Sequence, residues 1–305
     1  MNRPNLGSTW SLHREETAPD HEHLAMSIWE AIVLGLAQGA TEYAPVSSSG
    51  HLILMPWLFG WQQLGGDADF AKTFDVALHM GTLLGAVIYF RNDLWRYLRA
   101  WLHTITARRI ATTDERIAWA LAIGTIPGAA VGALAERMIQ ENLGAPWLIA
   151  VMLAIFGVVL YLVDRRMPSE RDLSSIGVRT GLYLGIAQAL ALQPGVSRSG
   201  VTMTAARAIG LDRETAARFS FLLSLPIIAG AGLYKGAGLA QTGFQGYEAQ
   251  FFWGFVSSGV SGFLVIWGLL KYLKRHDFKV FMLYRLAAAA LVLGLIATGV
   301  REATI

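Results

Sequence analysis

The sequence predicts an all-α integral membrane protein, with six transmembrane helices plus two re-entrant helix–loop–helix segments arranged as an inverted-topology repeat. Three observations predict it. Of the 305 residues, 54% are hydrophobic and only 15% charged, a balance suited to lipid as the main solvent. Six apolar stretches are long enough to cross a hydrocarbon core of ~30 Å at ~1.5 Å per residue. Two further apolar stretches are too short to cross, run straight into Pro, Gly and Ser, and align on each other.

Residues 1–25 are polar and mixed in charge, with no apolar core of a signal peptide. They read as a flexible tail upstream of a natural start at Met26. Residues 26–305 then form a single membrane domain. The full spans fall at residues 73–90, 117–135, 145–163, 219–234, 249–270 and 280–300, and the short segments at 31–41 and 180–193. Apolar segments of ~10–14 residues are more often re-entrant or buried than spanning.

The stretch Gly35-Leu-Ala-Gln-Gly-Ala-Thr-Glu-Tyr-Ala-Pro-Val-Ser-Ser-Ser-Gly50 aligns without gaps on Gly185-Ile-Ala-Gln-Ala-Leu-Ala-Leu-Gln-Pro-Gly-Val-Ser-Arg-Ser-Gly200, with seven of sixteen positions identical. Downstream, Ala71, Phe74, Leu78, Gly85 and Tyr89 align in order with Ala216, Phe219, Leu223, Gly230 and Tyr234. This is a duplication, with one copy at about 27–165 and the other at about 176–301. Each copy holds one helix–break–helix and three spans. Three is odd, so the second copy enters from the opposite side and the topology is inverted. The break tips should then meet near the midplane, because non-helical backbone survives at that depth only inside protein or against a wet cavity.

The chain carries 25 Lys and Arg, eighteen of them on the side reached after the first full span and six on the other, with Arg198 set aside. That asymmetry makes the richer side cytoplasmic and has the first break enter from the outer face. The basic residues flank spans and form no single basic face, so no nucleic-acid partner is expected. The absence of cysteine excludes disulfides, thiolate metal sites and a Cys nucleophile, which leaves Ser, His, Asp and Glu.

In the first break, Glu42 is followed by Pro45-Val-Ser47-Ser48-Ser49-Gly50-His51, a carboxylate, three hydroxyls and an imidazole within ten residues. An unpaired ionised group at the bilayer centre costs ~2.5–3.5 kcal/mol even on lenient scales, so such groups point to function. Helix capping by Ser49 ahead of a helix beginning at Gly50 accounts for one serine and leaves Glu42 and His51 unexplained. In the second break, Pro194-Gly-Val-Ser197-Arg198-Ser199-Gly-Val-Thr202 sets a guanidinium among three hydroxyls where a helix restarts. Helix N-termini favour anions, and arginine grips phosphate bidentately. Together the tips carry a phosphoryl-transfer inventory. Arg198 stabilises charge, Ser48 or a water activated by Glu42 or His51 attacks, and His51 or Glu42 protonates the leaving oxygen.

These two stretches, with Gln38-Gly-Ala-Thr-Glu42 and the segment beginning Ala71-Lys-Thr-Phe, closely resemble the signatures of the bacitracin-resistance family of undecaprenyl pyrophosphate phosphatases. The resemblance extends from about Ser27 to the C-terminus. It implies dephosphorylation of a C55 isoprenyl pyrophosphate to the monophosphate carrier used in peptidoglycan synthesis, which confers bacitracin resistance. It also implies a site open to the outer (periplasmic) face of the bacterial cytoplasmic (inner) membrane, and a divalent cation, Mg or Ca. By the same resemblance Glu42 is the essential carboxylate, Ser48 the nucleophile, His51 the acid/base histidine and Arg198 the pyrophosphate-binding arginine. Gln38, Ser47, Ser49, Ser197, Ser199 and Thr202 are expected to contact substrate. The family allows Glu or Gln where Gln38 stands. Glutamine there removes a carboxylate, and only Glu42 is expected to touch the metal. The expected partners are the isoprenyl pyrophosphate and membrane lipid; a homodimer is left open, since nothing in the sequence sets the oligomeric state.

Two rival readings follow from the same residues. A lipid-phosphate transporter or flippase would also use inverted repeats and broken helices, but has less use for a Ser and a His beside a Glu. The acid-phosphatase-like lipid phosphatases share S-G-H and S-R elements, but the His that must follow Arg198 and the lysine-led motif before the first break are missing. Asp75 and His79, at i and i+4 near the start of a span, read either as lining the outer vestibule or as an intrahelical pair near the interface, His103 and His276 as solvated, and Trp57, Trp61, Trp147 and Trp253 as interfacial anchors.

Overall fold

The structure, a computed structural model, describes residues 26–61 and 68–304, so the predicted tail at 1–25 lies outside the described residues. Ten α-helices follow in order: α1 Ile28–Glu42, α2 Ser48–Phe59, α3 Ala68–Ala107, α4 Thr113–Asn142, α5 Pro146–Arg166, α6 Val178–Ala189, α7 Arg198–Ala208, α8 Arg213–Thr242, α9 Glu248–Leu273 and α10 Lys279–Ala297. Extended pairing among the described residues amounts to one isolated bridge between Arg171 and Leu211. Among the described residues six helices, α3, α4, α5, α8, α9 and α10, are long and apolar enough to cross a membrane, and each overlaps one of the predicted spans, 145–163 beginning one residue before α5 and 280–300 running three residues past α10. At 40 residues α3 runs ~60 Å. It therefore projects well beyond a hydrocarbon core at its Arg91, Arg96 and Arg99 end.

Local chemistry sets where the short helices begin and stop. At the start of α1, Ser27 and Glu30 form a reciprocal capping box: the Glu30 amide donates to Ser27 Oγ (3.2 Å) and the Ser27 amide to Glu30 Oε2 (2.6 Å). Pro45 cannot continue the α1 ladder, and the chain restarts as α2 after Ser47, whose hydroxyl accepts from the Gly50 amide (3.3 Å). The second copy repeats the device. After a single 3-10 turn (Leu190–Leu192), Ser197 accepts from the Gly200 amide (3.1 Å) and α7 begins. The caps are thus Ser47 and Ser197. The helix after the first break starts at Ser48, two residues before the start that a Ser49 cap would give.

Both cap serines hold positive φ, 74° for Ser47 and 76° for Ser197. A non-glycine residue in that region costs on the order of 1–3 kcal/mol and persists only where surroundings enforce it. The matching strain at aligned positions marks both turns as built features.

Each short helix packs at close range on a long one from the other half of the chain. Helix α1 lies against α9, and α6 against α4. Small residues make this possible: a Cβ on Gly35 would meet the Gly254 carbonyl at 2.5 Å, and one on Gly185 the Gly124 carbonyl at 2.1 Å. Gly35 and Gly185 are aligned positions, so both crossings rest on the same glycine. The remaining packing follows the same exchange of halves, with α3 on α9, α8 on α4, α3 on α8 and α5 on α10. Tyr43, Phe90, Phe219, Phe221 and Leu222 form part of the largest apolar cluster beside the breaks.

Two arginines counted by the sequence among the basic flanks are buried instead. Arg207 is 1% exposed; its Nε donates to Asp164 (2.7 Å) and its other nitrogens to the carbonyls of Asp164, Met167, Pro168 and Leu211, tying α7 to α5. Arg285 is fully buried beneath the breaks. Their flanking sequence is basic, which is why a tally by position includes them; removing both leaves that side still the richer.

Candidate active site

The loops between α1 and α2 and between α6 and α7 touch directly. The Gly195 amide donates to Ser47 Oγ (3.0 Å), and Ser199 Oγ donates to the Ala44 carbonyl (3.0 Å). Arg285, on α10, braces both loops from below. Its guanidinium donates to the carbonyls of Pro45 (3.0 Å), Gly195 (2.8 Å) and Val196 (3.2 Å), and to Leu153 (2.8 Å) and Met152 (3.3 Å) on α5. No carboxylate among the described residues pairs with it. Arg285 therefore spends its donors on backbone carbonyls, three of them in the two loops and two on α5.

Glu42 is the centre of the polar cluster, with its side chain 2% exposed. Its Oε1 accepts from Arg198 Nη2 across the two breaks, and its Oε2 accepts from Ser48 Oγ (2.6 Å) and Gln38 Nε2 (3.0 Å). His79 Nε2 lies 3.5 Å from the same Oε2. The structure thus brings Gln38, Glu42, Ser48 and Arg198 together and adds His79, which the sequence reading set aside.

The other anticipated residues lie nearby in different roles. Both ring nitrogens of His51 are occupied, Nδ1 by the Ser47 carbonyl (2.7 Å) and Nε2 by Tyr284 Oη (2.6 Å), and the two rings stack at 5.6 Å. His51 makes no hydrogen bond to Ser48 or Glu42. Ser47 and Ser197 are caps, each within hydrogen-bond range of the serine two residues on, Ser49 (3.4 Å) and Ser199 (3.2 Å). Thr202 Oγ1 donates within α7 to the Arg198 carbonyl (2.8 Å) and pairs with Ser220 Oγ on α8. Ser48, Ser49 and Arg198 are partly exposed, whereas Ser47, Ser197, Ser199 and Thr202 are buried.

Three contributors escaped the sequence reading. His79 aligns with Ser224, so the duplication drew no attention to it, and its spacing from Asp75 suggested a local pair; the contact is instead to the Asp75 carbonyl (2.7 Å). Tyr284 and Arg285 sit one turn into an apolar helix whose start is basic. The available signal was Arg285 itself, since an arginine inside a span carries a presumption of buried partners.

This geometry defines a class: a helical membrane protein whose two interrupted helices join a buried carboxylate, a guanidinium and a serine hydroxyl in one polar cluster. The sequence matches the family described as Bacitracin resistance protein BacA over residues 31–291, and the chain belongs to that family. It is 45% identical over 274 residues to the undecaprenyl-diphosphatase of Pelotomaculum thermopropionicum, covering 89% of this chain and 98% of that protein. It is 44% identical over 265 residues to the enzyme of the same name from Hahella chejuensis (87% and 97%), and 44% over 270 residues to that of Geobacter sulfurreducens (88% and 98%).

Proposed function

We infer that the protein hydrolyses undecaprenyl pyrophosphate to undecaprenyl phosphate and inorganic phosphate, returning the lipid carrier to peptidoglycan synthesis and so conferring bacitracin resistance. The observation that carries this reading is the convergence of Ser48 Oγ and Arg198 on the two oxygens of Glu42, in a chain close to proteins named for that reaction. A serine hydroxyl needs an adjacent base to attack, and a 2.6 Å hydrogen bond to a carboxylate supplies one. Ser48 Oγ attacks the terminal phosphorus as its proton passes to Glu42; the bond to the bridging oxygen breaks, the proton moves from Glu42 to that leaving oxygen, and undecaprenyl phosphate leaves with the Glu42 carboxylate free again. Water, deprotonated by Glu42, then cleaves the phosphoserine, releasing phosphate and returning a proton to Ser48. In the alternative without a covalent intermediate, Glu42 activates water for direct attack.

Arg198 donates to Glu42 across the two breaks. A pyrophosphate entering the cluster competes for the guanidinium with planar, charge-assisted hydrogen bonds, which frees the carboxylate to act as base. His51, held by Ser47 and Tyr284, acts in this scheme by positioning the start of α2.

A divalent cation fits the cluster. Gln38 Oε1 is buried and lacks a donor, while its Nε2 reaches the Glu42 carboxylate; a half-turn of the amide would offer an oxygen pair that a hard cation would take. Glu42 and Gln38 would hold the ion, which would supply charge stabilisation to the pyrophosphate.

The two short helix pairs are re-entrant segments of an inverted repeat in the cytoplasmic membrane, with the site open to the outer face. The aligned serine caps, the matched glycine crossings and the excess of Lys and Arg on one side support this placement.

The test is phosphate release from undecaprenyl pyrophosphate by the purified protein in detergent, where no second compartment exists. Steady release with a divalent cation present is expected. Binding of the lipid without release would favour a lipid-phosphate carrier and overturn the hydrolase reading.

A further inference from the structure

His79 anchors one ring nitrogen on the backbone and turns the other toward Glu42. Its Nδ1 lies 2.7 Å from the Asp75 carbonyl, which can only accept, so Nδ1 carries a ring hydrogen. Nε2 then faces Glu42 Oε2 at 3.5 Å, the position in which a metal-binding imidazole presents its nitrogen. Gln38 adds a further acceptor, because its Oε1 is buried without a donor while its Nε2 reaches the same carboxylate oxygen (3.0 Å). A half-turn of the amide brings Oε1 toward Glu42 at the cost of that single hydrogen bond. With the amide so turned, imidazole nitrogen, carboxylate oxygen and amide oxygen would form the donor set of a cation.

Resting on the hydrolase reading above, we propose that Glu42, His79 and Gln38 together hold the divalent ion, and that the imidazole makes the site prefer a transition ion such as Mn2+ or Co2+ over Mg2+ or Ca2+. Ligand bonds of ~2.0–2.2 Å place two donors separated by 3.5 Å at an angle of about 110°, an ordinary value for neighbouring ligands. The Asp75 carbonyl fills the usual outer role, fixing the tautomer and aiming the ring. Imidazole suits later first-row ions, whereas all-oxygen sets suit Mg2+ and Ca2+. Among the described residues no third His, Asp or Glu joins this pair. The remaining coordination positions therefore fall to water and the pyrophosphate oxygens, as in other phosphoryl-transfer sites. Gln38 brings no charge to the ion, and His79 supplies a strong donor beside Glu42.

Mn2+ titrated into tag-free, full-length protein in detergent, followed by pulsed EPR, reads the ligand set directly. The wild type is expected to bind Mn2+ with coupling to an imidazole nitrogen. H79Q should lose the coupling and bind at least tenfold more weakly, and should narrow the margin between Mn2+ and Mg2+ measured by competition. Q38E should tighten binding. Absence of Mn2+ binding by the wild type, or nitrogen coupling that persists in H79Q, overturns the proposal. Should H79Q fail to fold, H51N decides: coupling retained supports His79, and coupling lost assigns the nitrogen to His51. Phosphate release in the same preparation with Mg2+ reports on the hydrolase reading separately; release without nitrogen coupling removes His79 from the metal and leaves the hydrolase standing.

Discussion

Glu42→Gln should abolish nearly all turnover while leaving the protein folded. Among the described residues the carboxylate is the group that accepts the Ser48 proton, at 2.6 Å, and an amide cannot accept it as a base. Removing a general base typically costs ~10²–10⁴-fold in rate, and loss of the metal contact adds to that. The change is nearly isosteric, and Gln38, Ser48 and Arg198 keep a polar neighbour, so expression and thermal midpoint in detergent should move little. Steady-state phosphate release, with size-exclusion profiles as a folding control, measures both. Turnover within about tenfold of wild type would remove Glu42 as the base. Ser48→Ala then separates the two routes: loss as deep as that of Glu42→Gln indicates attack by Ser48, and substantial residual hydrolysis indicates attack by water.

Arg285→Met should have the largest effect on stability. The substitution keeps much of the volume but deletes the guanidinium's hydrogen bonds to five carbonyls, of which Pro45, Gly195 and Val196 lie in the loops and have no helical ladder to fall back on. Buried carbonyls left without donors cost about 1–3 kcal/mol each, so a loss of several kcal/mol is expected even after partial relaxation. At ~2–4 °C per kcal/mol, the scale for soluble domains of similar size, the midpoint of thermal unfolding should fall by on the order of 10 °C. Arg285→Lys should recover only part of this, because one ammonium cannot span carbonyls on both loops and α5. A midpoint unchanged in Arg285→Met would mean that the loops are held by their mutual contacts alone.

The fold was legible because lipid imposes strict rules. Uncharged segments of spanning length had to be helices, and the two that were too short announced their breaks through Pro45, Pro194 and the aligned V-S-x-S-G runs. The approach of Glu42 to Arg198 could be anticipated in outline, since each is a charge that lipid would not tolerate alone. Side-chain direction was less accessible. Motif spacing placed His51 three residues from Ser48, on the same turn of helix, but said nothing of Tyr284 arriving from a helix 233 residues away to take its free nitrogen. His79 was hidden for the opposite reason, because a local partner at i−4 gave it a sufficient explanation in sequence. Thr202 and Ser199 looked like free hydroxyls in the motif, yet they satisfy backbone carbonyls inside the turn, where unpaired polar groups cost most. Ser48 and Arg198 are aligned positions of the two breaks, so one break supplies the hydroxyl and the other the guanidinium, and both meet on Glu42.

That meeting is the core of the account, and binding of a non-hydrolysable isoprenyl methylene-bisphosphonate tests it most directly. Measured by calorimetry on purified protein without divalent cation, Arg198→Lys should weaken binding at least tenfold. Glu42→Gln should bind as tightly as wild type or several-fold tighter, since it removes a negative charge and releases the arginine for the ligand. If Glu42→Gln weakens binding as much as Arg198→Lys does, Arg198 is not held by Glu42 in competition with the substrate, and the two breaks do not work as one site.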